Sequence, residues 1–360
     1  MIIRTKETDL PAFALSSEFN SLKYHIKTLS YLTRAFEARN LSHALLFTGL
    51  QGVGKQAAAQ LLSMACNCFK RSAPGGSESE ADEQSGDDES NIWPCGRCRS
   101  CQKILNNSHP DILLVRPTSS FIKIDQVRSL IQKLSLKPYE AVNRFIIISD
   151  ADSMNPEAGN ALLKVLEEPP DHTTIILTAR QVSNLLPTIV SRCMHIRLSP
   201  IPEDFIARVL KEDHEAAPDE ASTLARMASG SISKAVFMKT NHWLDRRNHL
   251  IQELVTLRSR SIGFIMAFAE RLSQDKEILT ECLEIFRIWL RDLIIYRYAP
   301  DRIVYADLED TIRNEYRKSD SETLLSLVDL IHTVQKKIES NGNVRLSTEI
   351  LMMKMAGQYR

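Results

Sequence analysis

The sequence predicts an α/β domain of three layers around a mainly parallel sheet, followed by a helical C-terminal part. Three observations carry this reading. Short apolar runs alternate with helix-patterned segments up to about residue 198, a glycine-rich loop follows the first of those runs, and beyond Pro200 the strand pattern fades into helical periodicity. At 360 residues the chain has room for two or three domains with real cores. Acidic and basic residues balance at 45 each, which argues against a chain that grips nucleic acid alone through bulk charge. The sequence contains no run of 18 apolar residues, so no membrane span is expected. The opening "MIIRTKETDLPAFALSSEF" has neither the apolar stretch nor the small-residue cleavage site of a signal peptide, and the expected compartment is the cytoplasm.

From Phe19 to Arg39, Leu22, Ile26, Leu29, Leu32 and Phe36 recur at helical spacing. "HALLFTG" then reads as a buried strand running into "GLQGVGKQ", Gly49 to Gln56, and "KQAAAQLLSMACNC" as the helix after it. Strand, glycine loop and helix form the setting of a phosphate loop, which turns backbone N–H groups and a helix's positive end toward an anion. Gly49, Gly52, Gly54 and Lys55 are the candidate phosphate-binding set, and two readings of Lys55 stand. It cradles a nucleotide's phosphate, or it is a solvated lysine in an empty loop. The position after the lysine normally carries a Ser or Thr hydroxyl that holds Mg²⁺; here it is Gln56.

Residues 71–90, within a loop of about 70–92, are acidic, low in complexity and free of large apolar side chains, so a disordered loop is expected. "PCGRCRSC" follows, with Cys95, Cys98 and Cys101 three apart. Seven cysteines in a reducing compartment point to metal ligands or core thiols rather than disulfides. Arg97, Arg99 and Ser100 between them make a poor core segment, so the spacing is read as a Zn²⁺ module over about 66–105. The fourth thiolate is Cys66 or Cys68, and Cys68 is favoured because it lies nearer the helix end. Four protein ligands leave no open position, so the metal's role is structural.

"DILLVRP", "RFIIISDAD", "TTIILTA" and "MHIRLSP" read as further strands. Between them, "IDQVRSLIQKLSLKP" is an amphipathic helix with Val127, Leu130, Ile131 and Leu134 inward. "NPEAGNALLKVLEEPP" is a helix capped by Asn155 that stops before Pro169, and "LLPTIVSRC" is a short turn or helix. Residues 200–240 form a small helical unit, and from about His242 the pattern is helical almost throughout. The stripe Leu279, Leu283, Phe286, Leu290 and Leu293 reads as core or as a helix-partner face.

"HALLFTGLQGVGK", the "CGRCRSC" module, "HPD" at 109–111, "NALLKVLEEPP" at 160–170 and "SRC" at 191–193 stand in the order seen in bacterial clamp-loader subunits. The chain resembles the delta-prime family of DNA polymerase III, relatives of the gamma/tau motor subunits. The likeness is dense over about residues 20–195. It is weaker in the C-terminal part, where "NGNVRLSTEILMMKM" at 341–355 looks like the family's closing helix. The resemblance implies an AAA+ P-loop NTPase-like domain at 1–198 carrying the zinc insertion, a helical lid at 199–241 and a helical collar at 242–360. It further implies a hetero-pentamer with gamma/tau-like motor subunits and a delta-like subunit, acting on a sliding clamp and primer-template DNA.

Within that resemblance a working ATPase carries an Asp-Glu pair at the end of the second core strand, one for the metal and one for the water. Here Ser149 and Asp150 hold those places. With Gln56, three departures fall on one metal–water site, so no ATP turnover is expected; Asp152, past the strand end, does not restore the site. The resemblance gives the arginine of "SRC", Arg192, the role of a finger offered in trans to the ATP of a neighbouring subunit. Lys234 lies one residue past the place of a nucleotide-sensing arginine, which Ser233 occupies. Glu167 and Glu168 end a helix, where the dipole makes carboxylates unfavourable unless a partner's cation or solvent answers them. Two alternatives are an ATP-hydrolysing gamma/tau-like motor and a zinc-dependent DNA-binding protein built on Cys68, Cys95, Cys98 and Cys101.

Overall fold

The computed structural model describes residues 21–72, 94–118, 121–134, 137–318, 320–340 and 342–357. Residues 73–92 of the expected acidic loop lie outside the described residues. Residues Phe69–Ser72, just before them, form a short turn of helix. The chain divides into two compact units. The first comprises residues 1–209 with 229–234, and the second residues 210–228 with 235–360.

Five strands build the first unit: β1 (Ala44–Thr48), β2 (Ile112–Val115), β3 (Arg144–Ile148), β4 (Thr173–Ala179) and β5 (Met194–Arg197). They form one sheet in the order β2-β3-β4-β1-β5, and every pairing is parallel. The central strands β1, β3 and β4 are buried at every position, which is why they read as unbroken apolar runs.

Alternation along the strands assigns the two faces. Ala44, Leu46, Ile146, Ile148, Ile175 and Leu177 share one core with Val127 and Leu130 of helix α4 (Ile124–Leu134) and Leu162 and Leu166 of helix α5 (Pro156–Glu167). The alternating residues Leu45, Phe47, Phe145, Ile147 and Ile176 face the other way. On that side helix α2 (Lys55–Cys66) lies against β3 and β4, and helix α1 (Ile26–Glu37) packs on α2. Helix, sheet and helix are the three layers expected. Asn155 caps α5 as predicted, its side chain accepting the Ala158 N–H at 3.0 Å.

The N-terminal helix is shorter than its apolar periodicity suggests. Ser21–Lys23 form a separate 3₁₀ turn, and α1 starts at Ile26. Tertiary contact explains the break. Ser21 and Leu22 are buried against Gly54, and a Cβ on that glycine would run into the Ser21 hydroxyl.

Helix α3 (Arg99–Leu105) follows the cysteine-rich turn, and helix α6 (Pro187–Val190) precedes Arg192. The chain continues through α7 (Glu203–His214), α8 (Pro218–Ala228), α9 (Ile232–Thr240) and α10 (Trp243–Leu257). It ends with α11 (Ile262–Ser273), α12 (Lys276–Tyr296), α13 (Glu309–Tyr316), α14 (Ser321–Glu339) and α15 (Val344–Met355).

Within the second unit α11 packs on α15, and α12 on α14. The stripe Leu279, Leu283, Phe286, Leu290 and Leu293 on α12 is buried in this unit's core. Arg247 is fully buried there. It forks onto the Asp307 carboxylate and lies 4.8 Å over the Tyr305 ring, so a planar cation meets a planar anion and an aromatic face.

Candidate nucleotide-loop rim and metal centre

The phosphate loop joins the C-terminal end of β1 to α2, at the sheet edge where ligands bind in parallel α/β folds. Its glycines are required by shape. Gly52 (φ +75) and Gly54 (φ +98) are left-handed, and a Cβ on Gly52 would strike the Ser231 hydroxyl. The Ser233 N–H donates to the Gly52 carbonyl at 3.4 Å. Ser233 therefore touches the loop through its backbone.

Lys55 is buried, and its Nζ donates to the carbonyls of Gly49 and Leu50, both at 2.8 Å. It is not a solvated lysine; it is bonded inward to its own loop. Burial lowers its pKa, Asp150 and Asp152 act in the opposite direction, and Arg180 adds to the lowering.

Two of the residues that depart from a working ATPase bond to each other. Ser149 Oγ donates to Gln56 Oε1 at 3.0 Å, linking the end of β3 to the first turn of α2. Two oxygen ligands of one octahedral Mg²⁺ would stand about 3 Å apart, given metal–oxygen distances of about 2.1 Å. Here the Ser149 hydroxyl hydrogen spans that separation between two neutral groups. Asp150 is exposed and left-handed (φ +51), with its N–H on Thr178 Oγ1 at 3.1 Å. Asp152 sits in the following 3₁₀ turn and accepts the Arg180 N–H at 3.4 Å. Neither carboxylate takes part in the Ser149–Gln56 bond.

Arg192 lies two residues past α6. Its Nη2 pairs with Glu167 Oε1 at 2.5 Å, and its Nη1 donates to the Thr188 carbonyl at 2.9 Å and to Ser191 Oγ at 3.3 Å. The cation that answers Glu167 at the end of α5 thus comes from this chain. About a third of the Arg192 side chain stays exposed. Burial pushes the neighbouring Cys193 thiol up to about 11, so it packs as a neutral group.

The sulfurs of Cys68, Cys95, Cys98 and Cys101 all lie within 4.8 Å of one another. Cys66, the last residue of α2, is buried outside this set, so the fourth position belongs to Cys68. Backbone N–H groups point at the sulfurs: Cys95 to Cys68 at 3.4 Å, Cys98 to Cys95 at 3.3 Å, and Cys101 to Cys98 at 3.5 Å. The hydrogen bond from Cys101 is the main influence that brings the Cys68 thiol below its ordinary range, and it pushes Cys101 in the opposite direction. Four converging soft donors, with amides placed to stabilise negative sulfur, fit a tetrahedral ion such as Zn²⁺. Bound there, the ion would cross-link the end of α2 to α3.

The family described as "DNA polymerase III, delta subunit" matches residues 24–202, and its C-terminal counterpart matches residues 241–357. The chain belongs to the DNA polymerase III delta-prime family. It is 29% identical to DNA polymerase III subunit delta' of Bacillus subtilis over 93% of this chain and 97% of that one. With the Pseudomonas aeruginosa subunit delta' it shares 27% identity over 88% and 92%. It is also similar to the B. subtilis subunit tau, at 23% identity over 90% of this chain and 59% of that one. Among the described residues of this delta-prime family member, no helix is long and apolar enough to cross a membrane.

Two arrangements besides the Glu167–Arg192 pair escaped the sequence reading. Asp111 of "HPD" is buried, and its carboxylate accepts N–H groups from Tyr139, Glu140 and Ala141 at 2.8–3.0 Å. Arg144 stands 3.6 Å away. Glu140 pairs in turn with Lys103 of α3 at 2.5 Å, tying the cysteine module to the entry of β3. The other is the Ser149–Gln56 bond. Both residues were singled out, but nothing in their types says that they meet.

Proposed function

We propose that this delta-prime family member is a catalytically silent subunit of the DNA polymerase III clamp loader. It offers Arg192 to ATP held by a neighbouring gamma/tau-like motor subunit. The observation that carries the silent half is the Ser149–Gln56 hydrogen bond. The two positions that would share a metal bond to each other, and neither brings a negative charge. This bond also weighs against the alternative of a gamma/tau-like motor.

The second half is supported by Arg192, a permanently charged fork on a partly exposed rim. Such an arginine stabilises charge that develops on transferring phosphoryl oxygens, an effect worth about 10³–10⁵ in rate. In this reading residues 1–198 form the AAA+-like domain, 199–241 a lid, and 242–360 a collar segment in a cytoplasmic hetero-pentamer with motor subunits and a delta-like subunit. The assembly opens a sliding clamp and places it on primer-template DNA. Zn²⁺ on Cys68, Cys95, Cys98 and Cys101 is structural, and Gly49, Gly52, Gly54 and Lys55 retain only the frame of an ATP-binding loop.

The test is reconstitution with gamma/tau-like and delta-like subunits, scoring clamp loading on primed DNA. Loading should require this chain and fall with Arg192→Ala although the complex assembles. Full loading by the verified variant complex would refute the finger.

A further inference from the structure

Glu167 ends α5, where the helix dipole already gathers negative charge, and Glu168 follows it. The two glutamates differ in what they touch. Glu167 Oε1 holds Arg192 Nη2 at 2.5 Å, whereas the Glu168 N–H closes the helix on the Lys164 carbonyl. Side-chain exposure is 35% for Arg192 and 50% for Glu167. An ion pair this open adds little to stability.

The elements that carry the pair are fixed to each other. Gly159 of α5 has no side chain where Leu186 and Ile189 approach, and a Cβ there would stand 2.9 Å from Leu186 Cδ1. Ile189 is buried in the core shared with α5. Both ends of the Glu167–Arg192 pair are therefore anchored in one packed corner. The bonds from Nη1 to Thr188 and Ser191 fix a second side of the guanidinium.

We propose that Glu167 is the positioning residue of Arg192, holding the guanidinium in one orientation at the rim before a neighbouring subunit's phosphates arrive. This rests on the reading of Arg192 as a finger in trans. Two effects of the carboxylate compete. It offsets part of the arginine's charge, and it removes the freedom of a long side chain. Solvent screens the charge that Glu167 offsets, and the carboxylate acts together with the Thr188 and Ser191 bonds in fixing the guanidinium's orientation. Immobilising one such side chain is worth roughly three- to tenfold in rate.

The experiment measures ATP hydrolysis by the reconstituted complex with primed DNA. Glu167→Gln should lower kcat by about three- to tenfold and leave the KM for ATP within about twofold, because the nucleotide sits in the neighbour's site. Glu167→Asp should recover part of the loss. Glu168→Gln makes the same charge change one residue along and should match wild type. In an Arg192→Ala background, Glu167→Gln should have no further effect. A Glu167→Gln rate at or above wild type, or a further drop in the Arg192→Ala background, overturns the positioning role. If Arg192→Ala itself leaves hydrolysis unchanged, the finger reading falls, and the positioning role falls with it.

Discussion

Ser149 donates its hydroxyl hydrogen to the Gln56 side-chain oxygen across 3.0 Å, joining two residues 93 positions apart. In a working nucleotide site a short hydroxyl and a carboxylate at these places would both face the metal. The bond uses both groups, and Lys55 is hydrogen-bonded to its own loop. The free chain is therefore expected to show no DNA-stimulated ATP hydrolysis. A turnover number within tenfold of a motor subunit's would contradict this.

Replacing the pair tests the same point by gain. Gln56→Thr with Ser149→Asp restores a hydroxyl and a carboxylate to the metal side. ATP affinity measured with and without Mg²⁺ should become metal-dependent in the double variant and stay metal-independent, or absent, in wild type. Equal Mg²⁺ dependence in both would show that the native pair already supports the ion.

The cysteine cluster predicts which thiols matter. Cys68→Ser should lose bound zinc and lower thermal stability, since a structural site contributes directly to folding. Cys66→Ser should keep about one zinc per chain by metal analysis, as this thiol lies outside the set. The reverse pattern would exchange the two assignments.

Asp111 predicts acid sensitivity. Burial is the largest influence and raises its pKa. The bonds from Glu140, Tyr139 and Ala141 together with Arg144 outweigh it and hold the carboxyl below its ordinary value. The folded state thus binds this proton less tightly than the unfolded chain. The stabilisation is present above the ordinary aspartate pKa and is lost as pH falls through the folded value. Asp111→Asn should cost about 3 kcal/mol near neutral pH, the scale for breaking a buried charge-assisted network. Denaturation followed against pH should also show a flatter acid limb for the variant. An unchanged limb would remove Asp111 from the acid response.

Much of the sheet was legible because β1, β3 and β4 are buried on both faces and so appear as apolar runs. The Asn155 cap and the α12 stripe were legible for similar local reasons. The cysteine set could be read from spacing, except for the choice at its N-terminal end, which depends on where α2 stops. Contacts across the fold were not legible. The break before Ile26 arises from Ser21 packing on Gly54, the Asp111 network joins residues about 30 apart, and Glu167 meets Arg192 only because α5 and α6 pack together. Periodicity reports what a segment buries, not which distant side chain it meets.

The role of Arg192 is read from the ATP hydrolysis rate, at saturating ATP and on primed DNA, of a verified complex carrying Arg192→Ala. Hydrolysis at the site facing this chain should fall by about 10³-fold or more, with nucleotide still bound. An unchanged rate at that site would show that Arg192 does not reach the neighbour's phosphates.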